Sequence, residues 1–329
     1  MSQAREGRER STGRQAARPD HFTARVPAST SNLGSGFDAL GLAVSRYLTV
    51  TWTPGDEPLS VHYAGTLTGR GGDPRSDLAA RALAAGLAEA GAPPPGGRLQ
   101  LDSAIPVERG LGSSAAAVAA GLTLAAAFLD QPLDRRVALE RAVELEGHPD
   151  NAAPALLGGL VAITRDAAGR PLPFSLPLAP ELAFAFAAPG SGVSTVSARQ
   201  ALPEAVPHGR AVAALGRAAA LVHGLATADA QLLRAGFQDD LHVPYRLPLI
   251  PGGRAAIAAA MDAGAWAVTI SGSGSGLFAV TAAERAAPVA AAMEDAFRAA
   301  GPGAIGFVLD ADHAGVRLVD AVPSPAVAQ

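Results

Sequence analysis

The segment Ile105-Pro-Val-Glu-Arg-Gly-Leu-Gly-Ser-Ser-Ala-Ala116 is the part of this 329-residue chain that decides its fold. Its two glycines, Gly110 and Gly112, can adopt backbone angles closed to other residues and let the chain approach a ligand closely. The two serines then begin an alanine-rich helix predicted over residues 113–129. The first N–H groups of a helix lack internal partners and carry partial positive charge, so a triphosphate fits there. A plain helix cap is the alternative interpretation of the same pattern.

The chain contains no cysteine and no lysine, and all 26 of its basic residues are arginine. Without cysteine there is no disulfide, thiol nucleophile, Fe–S cluster or cysteine-ligated zinc. Without lysine there is no Walker A loop, no strand lysine of a protein kinase and no Schiff-base lysine. Because the quoted loop is not a G-x-G-x-x-G pattern, it gives no support to a dinucleotide-binding fold either.

The net charge and the hydropathy of the chain limit which partners and which location are possible. The formal net charge of −4 argues against a general nucleic-acid surface. No apolar stretch approaches the roughly 20 residues of a membrane span. Residues 1–21 are rich in arginine and contain no apolar run, so they are predicted to be a disordered tail rather than a signal peptide. The absence of cysteine fits a reducing compartment, and we expect a cytoplasmic location.

Strand and helix signals are mixed in both halves of the chain. Strands are predicted at 22–27, 40–53, 99–105, 181–188, 265–270, 277–281 and 305–309, and one more follows Gly158-Gly159 within 155–164. Helices are predicted at 77–90, 113–129, 134–146, 209–227, 254–263 and 286–300. The stretch 166–178 contains three prolines and a glycine, so we place a domain boundary there, between residues 22–170 and 171–329.

Three motifs resemble those of one kinase superfamily. Pro-x-x-x-Gly-Leu-Gly-Ser-Ser-Ala-Ala in the quoted loop looks like the ATP motif of the GHMP kinases, which include galactokinase, homoserine kinase, mevalonate kinase and phosphomevalonate kinase. Val26-Pro-Ala-Ser-Thr-Ser-Asn-Leu-Gly-Ser-Gly-Phe-Asp-Ala-Leu-Gly-Leu42 resembles the first motif of that superfamily. Thr269-Ile-Ser-Gly-Ser-Gly-Ser-Gly-Leu277 resembles its third. Three such motifs in the same order are not expected by chance.

A fourth segment bears on the substrate. Glu146-Gly-His-Pro-Asp-Asn-Ala-Ala-Pro-Ala-Leu-Leu-Gly-Gly159 places His148, Asp150 and Asn151 within four residues. Asp, Asn and Pro favour turns, so a simple turn is the alternative. A turn requires neither His148 nor the Gly-Gly pair that follows. The whole string is similar to the substrate-side motif of the homoserine kinases.

Charged residues elsewhere favour an amino-acid substrate. Asp38 could hold an ammonium group, and Asn32 could bond a hydroxyl or carbonyl. Arg199 and Arg246 lie in segments that match the same family, and arginine binds a planar carboxylate through two parallel hydrogen bonds. An amino acid needs both kinds of contact, whereas mevalonate or a sugar does not. For each residue taken alone, turn chemistry, helix capping or surface exposure is the alternative.

From about residue 22 to residue 310, the resemblance implies an α+β, two-domain GHMP kinase fold. An N-terminal ribosomal-protein-S5-domain-2-like domain would hold ATP, a C-terminal ferredoxin-like domain would follow, and the active site would lie between them. The implied activity is transfer of the ATP γ-phosphoryl group to the side-chain hydroxyl of L-homoserine, on the way to threonine, with Mg²⁺ as cofactor. A homodimer is expected from the superfamily. The rivals are another GHMP kinase with a different small alcohol, and a binding protein of this fold without turnover.

The same resemblance implies three sets of site residues. The substrate set is Asn32, Asp38, His148, Asp150, Asn151, Thr195, Arg199 and Arg246. The nucleotide set is Pro106, Val107, Glu108, Arg109, Gly110, Leu111, Gly112, Ser113, Ser114, Ala115 and Ala116, with Ser271, Gly272 and Gly274. The metal set is Ser114 with a helix glutamate, for which Glu144 is preferred and Glu146 and Glu140 are alternatives.

Two features raise questions about the chemistry. Some relatives pair an aspartate base with a lysine, which this chain cannot do, so it stays open whether Asp150 takes a proton or only shapes its loop. Glu108 places a carboxylate inside the phosphate loop. It should repel ATP unless Arg109 neutralises it or it points away.

Overall fold

The structure is a computed structural model that describes residues 19–319. The predicted tail lies almost entirely outside the described residues. Within residues 19–319, no helix is long and apolar enough to cross a membrane.

The strands form two separate sheets. In chain order they are β1 (Phe22–Ser31), β2 (Leu40–Pro58), β3 (Ser60–Gly65), β4 (Gly96–Ser103), β5 (Leu160–Arg165), β6 (Pro171–Leu176), β7 (Leu182–Ala188), β8 (Ala267–Ile270), β9 (Leu277–Ala282), β10 (Ile305–Leu309) and β11 (Arg317–Leu318). The first sheet has the order β11-β1-β2-β4-β3, with β5 pairing to β2 and β6 pairing to β5. Its pairs are antiparallel except for β3 with β4.

The helices connect and cover these sheets. They are α1 (Leu78–Glu89), α2 (Ser113–Phe128), α3 (Arg135–Glu146), α4 (Ala152–Leu157), α5 (Thr195–Gln200), α6 (His208–Thr227), α7 (Ala230–Gly236), α8 (Val243–Arg246), α9 (Gly253–Asp262) and α10 (Ala283–Ala300). A 3₁₀ turn at Leu247–Leu249 follows α8. Most of these elements had been predicted, but β3, β6, β11, α4, α5, α7 and the short segments near residue 245 had not.

The second sheet has the order β10-β7-β9-β8, and all its pairs are antiparallel. Numbered within this domain, the order is 4-1-3-2, with helices after the first and third strands. This is the βαββαβ arrangement of ferredoxin-like folds. The prediction of a ferredoxin-like second domain is therefore confirmed.

Sequence periodicity explains how the second sheet is packed. Along β7, Phe184 and Phe186 face the core shared with the first sheet, whereas Ala185 and Ala187 face the smaller core beneath α9 and α10. Side chains of a strand point alternately to opposite faces, so one strand serves both cores. The aromatic face ties the two domains together and fixes the loops that meet between them.

Helix α2 is buried along most of its length, since each residue from Ala115 to Ala125 is buried. Small side chains allow β1, α1 and α4 to pack close around it. The helix starts directly after Gly112, so its N-terminal end opens at the loop quoted above. The fold thus holds a rigid helix end at the place where the sequence predicted a phosphate site.

The predicted domain boundary at residue 170 needs correction. It falls inside a hairpin, because β6 pairs with β5 from Arg165↔Pro171 to Leu160↔Leu176 and so extends the first sheet. The chain also returns to the first sheet at its end, where β11 pairs with β1. The prolines that suggested a linker are tolerated because β6 is an edge strand, where backbone N–H groups need no partner strand.

Candidate active site

A cavity of about 490 Å³ is lined by segments of both domains. Every member of the predicted substrate set lines it, namely Asn32, Asp38, His148, Asp150, Asn151, Thr195, Arg199 and Arg246. From the predicted nucleotide set it is lined by Pro106, Val107, Glu108, Gly110, Leu111, Gly112, Ser113, Ser114 and Gly272. The others, Arg109, Ala115, Ala116, Ser271 and Gly274, are not among the lining residues.

The loop before α2 depends on its two glycines. Gly110 and Gly112 both have left-handed backbone angles, with φ of 79° and 64°. A Cβ atom at Gly110 would collide with the carbonyl oxygen of Ser271, and one at Gly112 would collide with the Ser29 hydroxyl. Close packing and backbone conformation therefore both require glycine at these positions.

The third motif packs against this loop and is hydrogen-bonded to it. The Ser271 hydroxyl donates to the Gly110 carbonyl at 2.7 Å and lies 2.9 Å from the hydroxyl of Thr30 in the first motif. The Gly272 N–H donates to the Ser31 carbonyl at 3.2 Å. Ser271 is fully buried. It therefore positions the loop rather than lining the cavity, whereas Gly272 and Ser273 line it.

Glu108 is exposed at the edge of the loop, with φ of 56°. Its carboxylate lies over Gly192, where an added Cβ would be 3.0 Å from Oε2. Arg109 does not pair with it. Instead, the Arg109 guanidinium donates to the carbonyls of Pro189 and Gly190. Arg109 thus connects the loop to the second domain and does not neutralise Glu108 through an ion pair.

The preference for Glu144 as the metal-binding glutamate is not supported. The Glu144 side chain is 61% exposed and pairs with Arg141 at 2.8 Å. Glu146, two residues later, faces the opposite side of α3, toward Ser114 at the start of α2. Burial raises the pKa of Glu146, and the Ser114 hydroxyl acts in the opposite direction through a hydrogen bond. Glu140 pairs with Arg136, which leaves Glu146 as the glutamate beside Ser114.

One carboxylate oxygen of Glu146 is a candidate cation ligand. Oε2 is buried and has no hydrogen-bond partner among residues 19–319. An unpaired buried carboxylate oxygen is costly unless a ligand or cation satisfies it. Mg²⁺ prefers oxygen ligands, and the Ser114 hydroxyl supplies a second one. These residues therefore fit a divalent cation. Within residues 19–319 no cluster of three or more His, Asp or Glu side chains forms a metal site, so phosphate oxygens would have to complete the coordination.

Asp150 lies at the base of the cavity and is 3% exposed. Its Oδ1 lies 3.1 Å from Nδ1 of His148. Burial acts to raise the pKa of Asp150, but His148, Ser31 and Arg199 outweigh it, so the pKa lies below its usual value. The Asp150 carboxylate in turn raises the pKa of His148. Asp150 is therefore held as a carboxylate.

Asn151 ties this loop to the first strand. Its side-chain nitrogen donates to the Ser31 hydroxyl at 2.9 Å, and its side-chain oxygen accepts from the Ser29 hydroxyl at 3.0 Å. Both serines belong to the first motif. Ser31 and Asn151, which the sequence places 120 positions apart, thus form one polar wall of the cavity.

Asn32 and Asp38 bound a strained loop. Both have left-handed backbone angles, with φ of 73° and 54°, which are uncommon for residues other than glycine. The Asn32 side chain holds the loop closed, since its oxygen accepts from the Asp38 N–H at 2.9 Å and its nitrogen donates to the Gly272 carbonyl at 2.8 Å. The Asp38 carboxylate is thereby directed toward Arg199.

Asp38 and Arg199 form a two-pronged ion pair across the two domains. The two guanidinium nitrogens of Arg199 donate to the two carboxylate oxygens of Asp38 at 3.1 and 3.0 Å. Arg199 lies on α5, whose first residue, Thr195, has its hydroxyl 3.4 Å from that of Ser273. The pair places one negative and one positive group at the same end of the cavity.

Arg246 is a buried cation beside this pair, at 2% exposure. It donates to the carbonyls of Ala198 and Gly272 and lies over the Phe37 ring. Burial lowers its pKa and the neighbouring Arg199 lowers it further. Among the described residues no carboxylate lies within ion-pair distance of Arg246. A buried guanidinium of this kind is expected to bind an anion.

Part of the cavity had not been predicted from the sequence. Away from the loop it is lined by Leu48, Tyr63, Leu67, Arg70, Ser76, Asp77, Leu78 and Leu101. The Tyr63 hydroxyl donates to Asp77 at 2.8 Å, and Asp77 also caps α1. These residues come from β2, β3, β4 and the segment before α1. No contiguous motif marks them, because apolar side chains scattered over several strands resemble ordinary core residues.

Comparison with known proteins agrees with the geometry. Residues 77–159 match the family model described as GHMP kinases N terminal domain, and residues 218–299 match GHMP kinases C terminal. A homoserine kinase of Moorella thermoacetica is 44% identical over 252 residues, covering 76% of this chain and 84% of that protein. One of Synechococcus sp. is 38% identical over 88% of this chain and 93% of its own length.

A solved structure shows the same architecture. The crystal structure of homoserine kinase from Cytophaga hutchinsonii superposes with a TM-score of 0.83 at 30% identity, covering 92% of this chain and 98% of that chain. Both family models match in the expected order, and the relatives match along almost their whole length. The chain therefore belongs to the GHMP kinase family, in the group of the homoserine kinases.

Proposed function

We propose that this protein transfers the γ-phosphoryl group of ATP to the side-chain hydroxyl of L-homoserine. One observation carries the choice of substrate. Asp38, Arg199 and the buried Arg246 line the same cavity as the glycine loop and the start of α2. An amino acid has an ammonium group for the acid and a carboxylate for the arginines, whereas mevalonate and galactose lack this combination.

The nucleotide phosphates would lie on the backbone of residues 110–114. Left-handed glycines, the free N–H groups of the first turn of α2 and the two serine hydroxyls all suit an anion. The adenine base would occupy the unpredicted part of the cavity, near Tyr63 and Leu101. Apolar side chains with a few polar groups are the usual lining of such a site.

Ser114 and Glu146 would hold Mg²⁺ together with phosphate oxygens. The unpaired Oε2 atom of Glu146 supports this assignment over Glu144. When bound, the cation neutralises the charge on the transferring phosphoryl group. The carboxylate is thereby stabilised in its ionised form against the effect of burial.

The acceptor residues would act mainly by positioning. Phosphoryl transfer requires in-line geometry and charge neutralisation more than a strong base. Asp150 has a lowered pKa and is engaged with His148 and Ser31, so it is a poor proton acceptor. We propose that it fixes His148 and Asn151 and does not act as a base. Near-normal turnover of Asp150→Ala would agree with that role, whereas loss of kcat with unchanged KM would contradict it.

A coupled assay of ADP release tests the substrate assignment. L-Homoserine, mevalonate, galactose and no acceptor are compared at equal protein concentration. We expect turnover with L-homoserine only. Turnover only with mevalonate or galactose would exclude the homoserine assignment, and no turnover with any acceptor would favour a binding protein of this fold. The homodimer expected from the superfamily stays a prediction.

A further inference from the structure

A second cavity adjoins the acceptor residues Asp38, His148 and Arg199. It encloses about 290 Å³ and is lined by Ile163, Thr164, Arg165 and Pro171 of the β5–β6 hairpin and by the loop at 147–149. None of these hairpin residues lines the first cavity. The proposed function gives this space no role.

Three side chains separate the two cavities. Asp38, His148 and Arg199 line both, and no other described residue does. We call these three side chains the partition. His148 is held beside the buried Asp150. The part of the partition that can move is therefore the Asp38–Arg199 ion pair.

Opening this ion pair requires little free energy. Its side chains are 40% and 41% exposed, so water reaches both charges. Ion pairs between exposed side chains typically contribute only about 0–1 kcal/mol. The left-handed backbone at Asp38 holds the carboxylate in place when Arg199 moves, because the Asn32 side chain accepts from the Asp38 N–H.

The partition is complementary to a zwitterion. An ammonium group can replace Arg199 against Asp38, and a carboxylate can replace Asp38 against Arg199. Both partners then remain paired after the exchange. A ligand that carries only one charge leaves either Asp38 or Arg199 without a partner. Arg165, exposed beside the second cavity, adds positive charge on the side where a carboxylate would arrive.

The first cavity is a poor route for the acceptor once nucleotide is bound. Phosphates on residues 110–114 and a base near Tyr63 would fill that cavity up to its acceptor end, which Asp38 and Arg199 line. An acceptor that arrived second through the same opening would have to pass the nucleotide. The second cavity reaches Asp38 and Arg199 past the β5–β6 hairpin, whose residues Ile163, Thr164, Arg165 and Pro171 do not line the first cavity.

We propose that the second cavity is the port through which the zwitterionic acceptor reaches the active site, replacing the Asp38–Arg199 ion pair as it enters. The inference rests on the proposed function, since it concerns the acceptor of that reaction. The port would therefore control how the acceptor, but not the nucleotide, reaches the active site.

Thr164→Trp tests the port. Thr164 is exposed on β5, lines the second cavity and does not line the first. An indole there fills the port, so kcat/KM for L-homoserine should fall about tenfold while KM for ATP stays within about twofold. Ser175→Trp places the same bulk on the exposed part of β6, outside the cavity, and should behave as wild type. Thermal unfolding of both variants verifies that they fold.

A pulse–chase experiment on the wild-type enzyme provides a second test. Enzyme loaded with ATP that is radiolabelled in its γ-phosphoryl group is mixed with excess unlabelled ATP and saturating L-homoserine. Labelled phosphohomoserine should form, because the acceptor enters behind the bound nucleotide, and Thr164→Trp should form less of it than Ser175→Trp.

Two results would overturn the proposal. One is a folded Thr164→Trp enzyme whose kcat/KM for L-homoserine equals that of Ser175→Trp. The other is a wild-type enzyme that forms no labelled product in the chase although it turns over at steady state. Failure of the proposed function itself would appear earlier and separately, as the absence of any phosphorylation of L-homoserine by the wild-type protein.

Discussion

The two ends of the active-site cavity are built in different ways. The nucleotide end is a backbone site: Gly110, Gly112 and the first turn of α2 offer N–H groups from one contiguous segment. The acceptor end is a side-chain site, in which Asp38, Arg199 and Arg246 come from three distant segments. A backbone site tolerates changes of side-chain chemistry but not of backbone shape. A side-chain site tolerates small changes of backbone shape but not changes of side-chain chemistry.

Gly110→Ala should have the largest effect, because it breaks the backbone site by shape alone. The new methyl group would collide with the Ser271 carbonyl, and displacement of the loop should lower kcat/KM for ATP at least about a hundredfold. Steady-state kinetics and thermal unfolding measure the two consequences. Gly169→Ala is the control, since Gly169 also has positive φ, 78°, but no atom of the described part of the chain lies within 4 Å of the added methyl group. Wild-type kinetics in Gly110→Ala would refute a backbone phosphate site.

Arg246→Lys should damage the acceptor end while sparing the nucleotide end. Lysine keeps the charge but loses the two parallel donors, so KM for L-homoserine should rise about 10–100-fold, the equivalent of one or two charged hydrogen bonds. KM for ATP should change little. Arg210→Lys serves as the control because Arg210 is exposed and bonded to the Tyr245 hydroxyl. An equal rise in both KM values would argue against a dedicated carboxylate site.

Glu146→Gln and Glu144→Gln compare the two candidate metal glutamates at the junction of the two ends. Loss of the Glu146 charge should raise the Mg²⁺ concentration for half-maximal activity about tenfold or more. Glu144→Gln should leave that concentration unchanged, because this side chain is exposed and paired with Arg141. Activity titrated with MgCl₂ at saturating ATP provides the measurement. The reverse ranking of the two variants would restore Glu144 as the ligand.

Acid should destabilise the acceptor end through His242, the smallest effect of the four. Burial lowers the pKa of His242 to about 4 from an ordinary value of 6.5. Between these values the unfolded chain binds a proton that the folded chain does not, so stability is present above pH 6.5 and is lost as pH falls toward 4. The His242 ring stacks on Phe37 and contacts the Gly34 carbonyl, in the loop that carries Asp38.

The melting temperature should therefore fall by a few degrees between pH 7 and pH 5. His242→Asn should show a flatter dependence, and His223→Asn, which changes an exposed histidine, should keep the wild-type slope. KM for L-homoserine should rise on acidification before KM for ATP does. Parallel slopes in all three proteins would exclude His242 as the cause.

Features set by local chemistry were predictable from the sequence. The predicted helices at 113–129 and 134–146 match α2 and α3 closely, and Asp134 caps α3 by accepting from two backbone N–H groups. The phosphate loop was predictable for the same reason, since its glycines and serines are consecutive. β6 was not predicted, because Pro171 and Pro173 suggest a loop unless the strand is known to lie at the edge of a sheet.

What the sequence alone determined is therefore the identity of the chemical groups and the order of the motifs. It could not decide which glutamate of α3 faces Ser114, that Arg109 binds carbonyls rather than Glu108, or that Asp38 and Arg199 pair across the domains. Those outcomes depend on how α3 is rotated against α2 and how the two sheets pack. Long-range packing sets both, and no segment of the chain encodes it by itself.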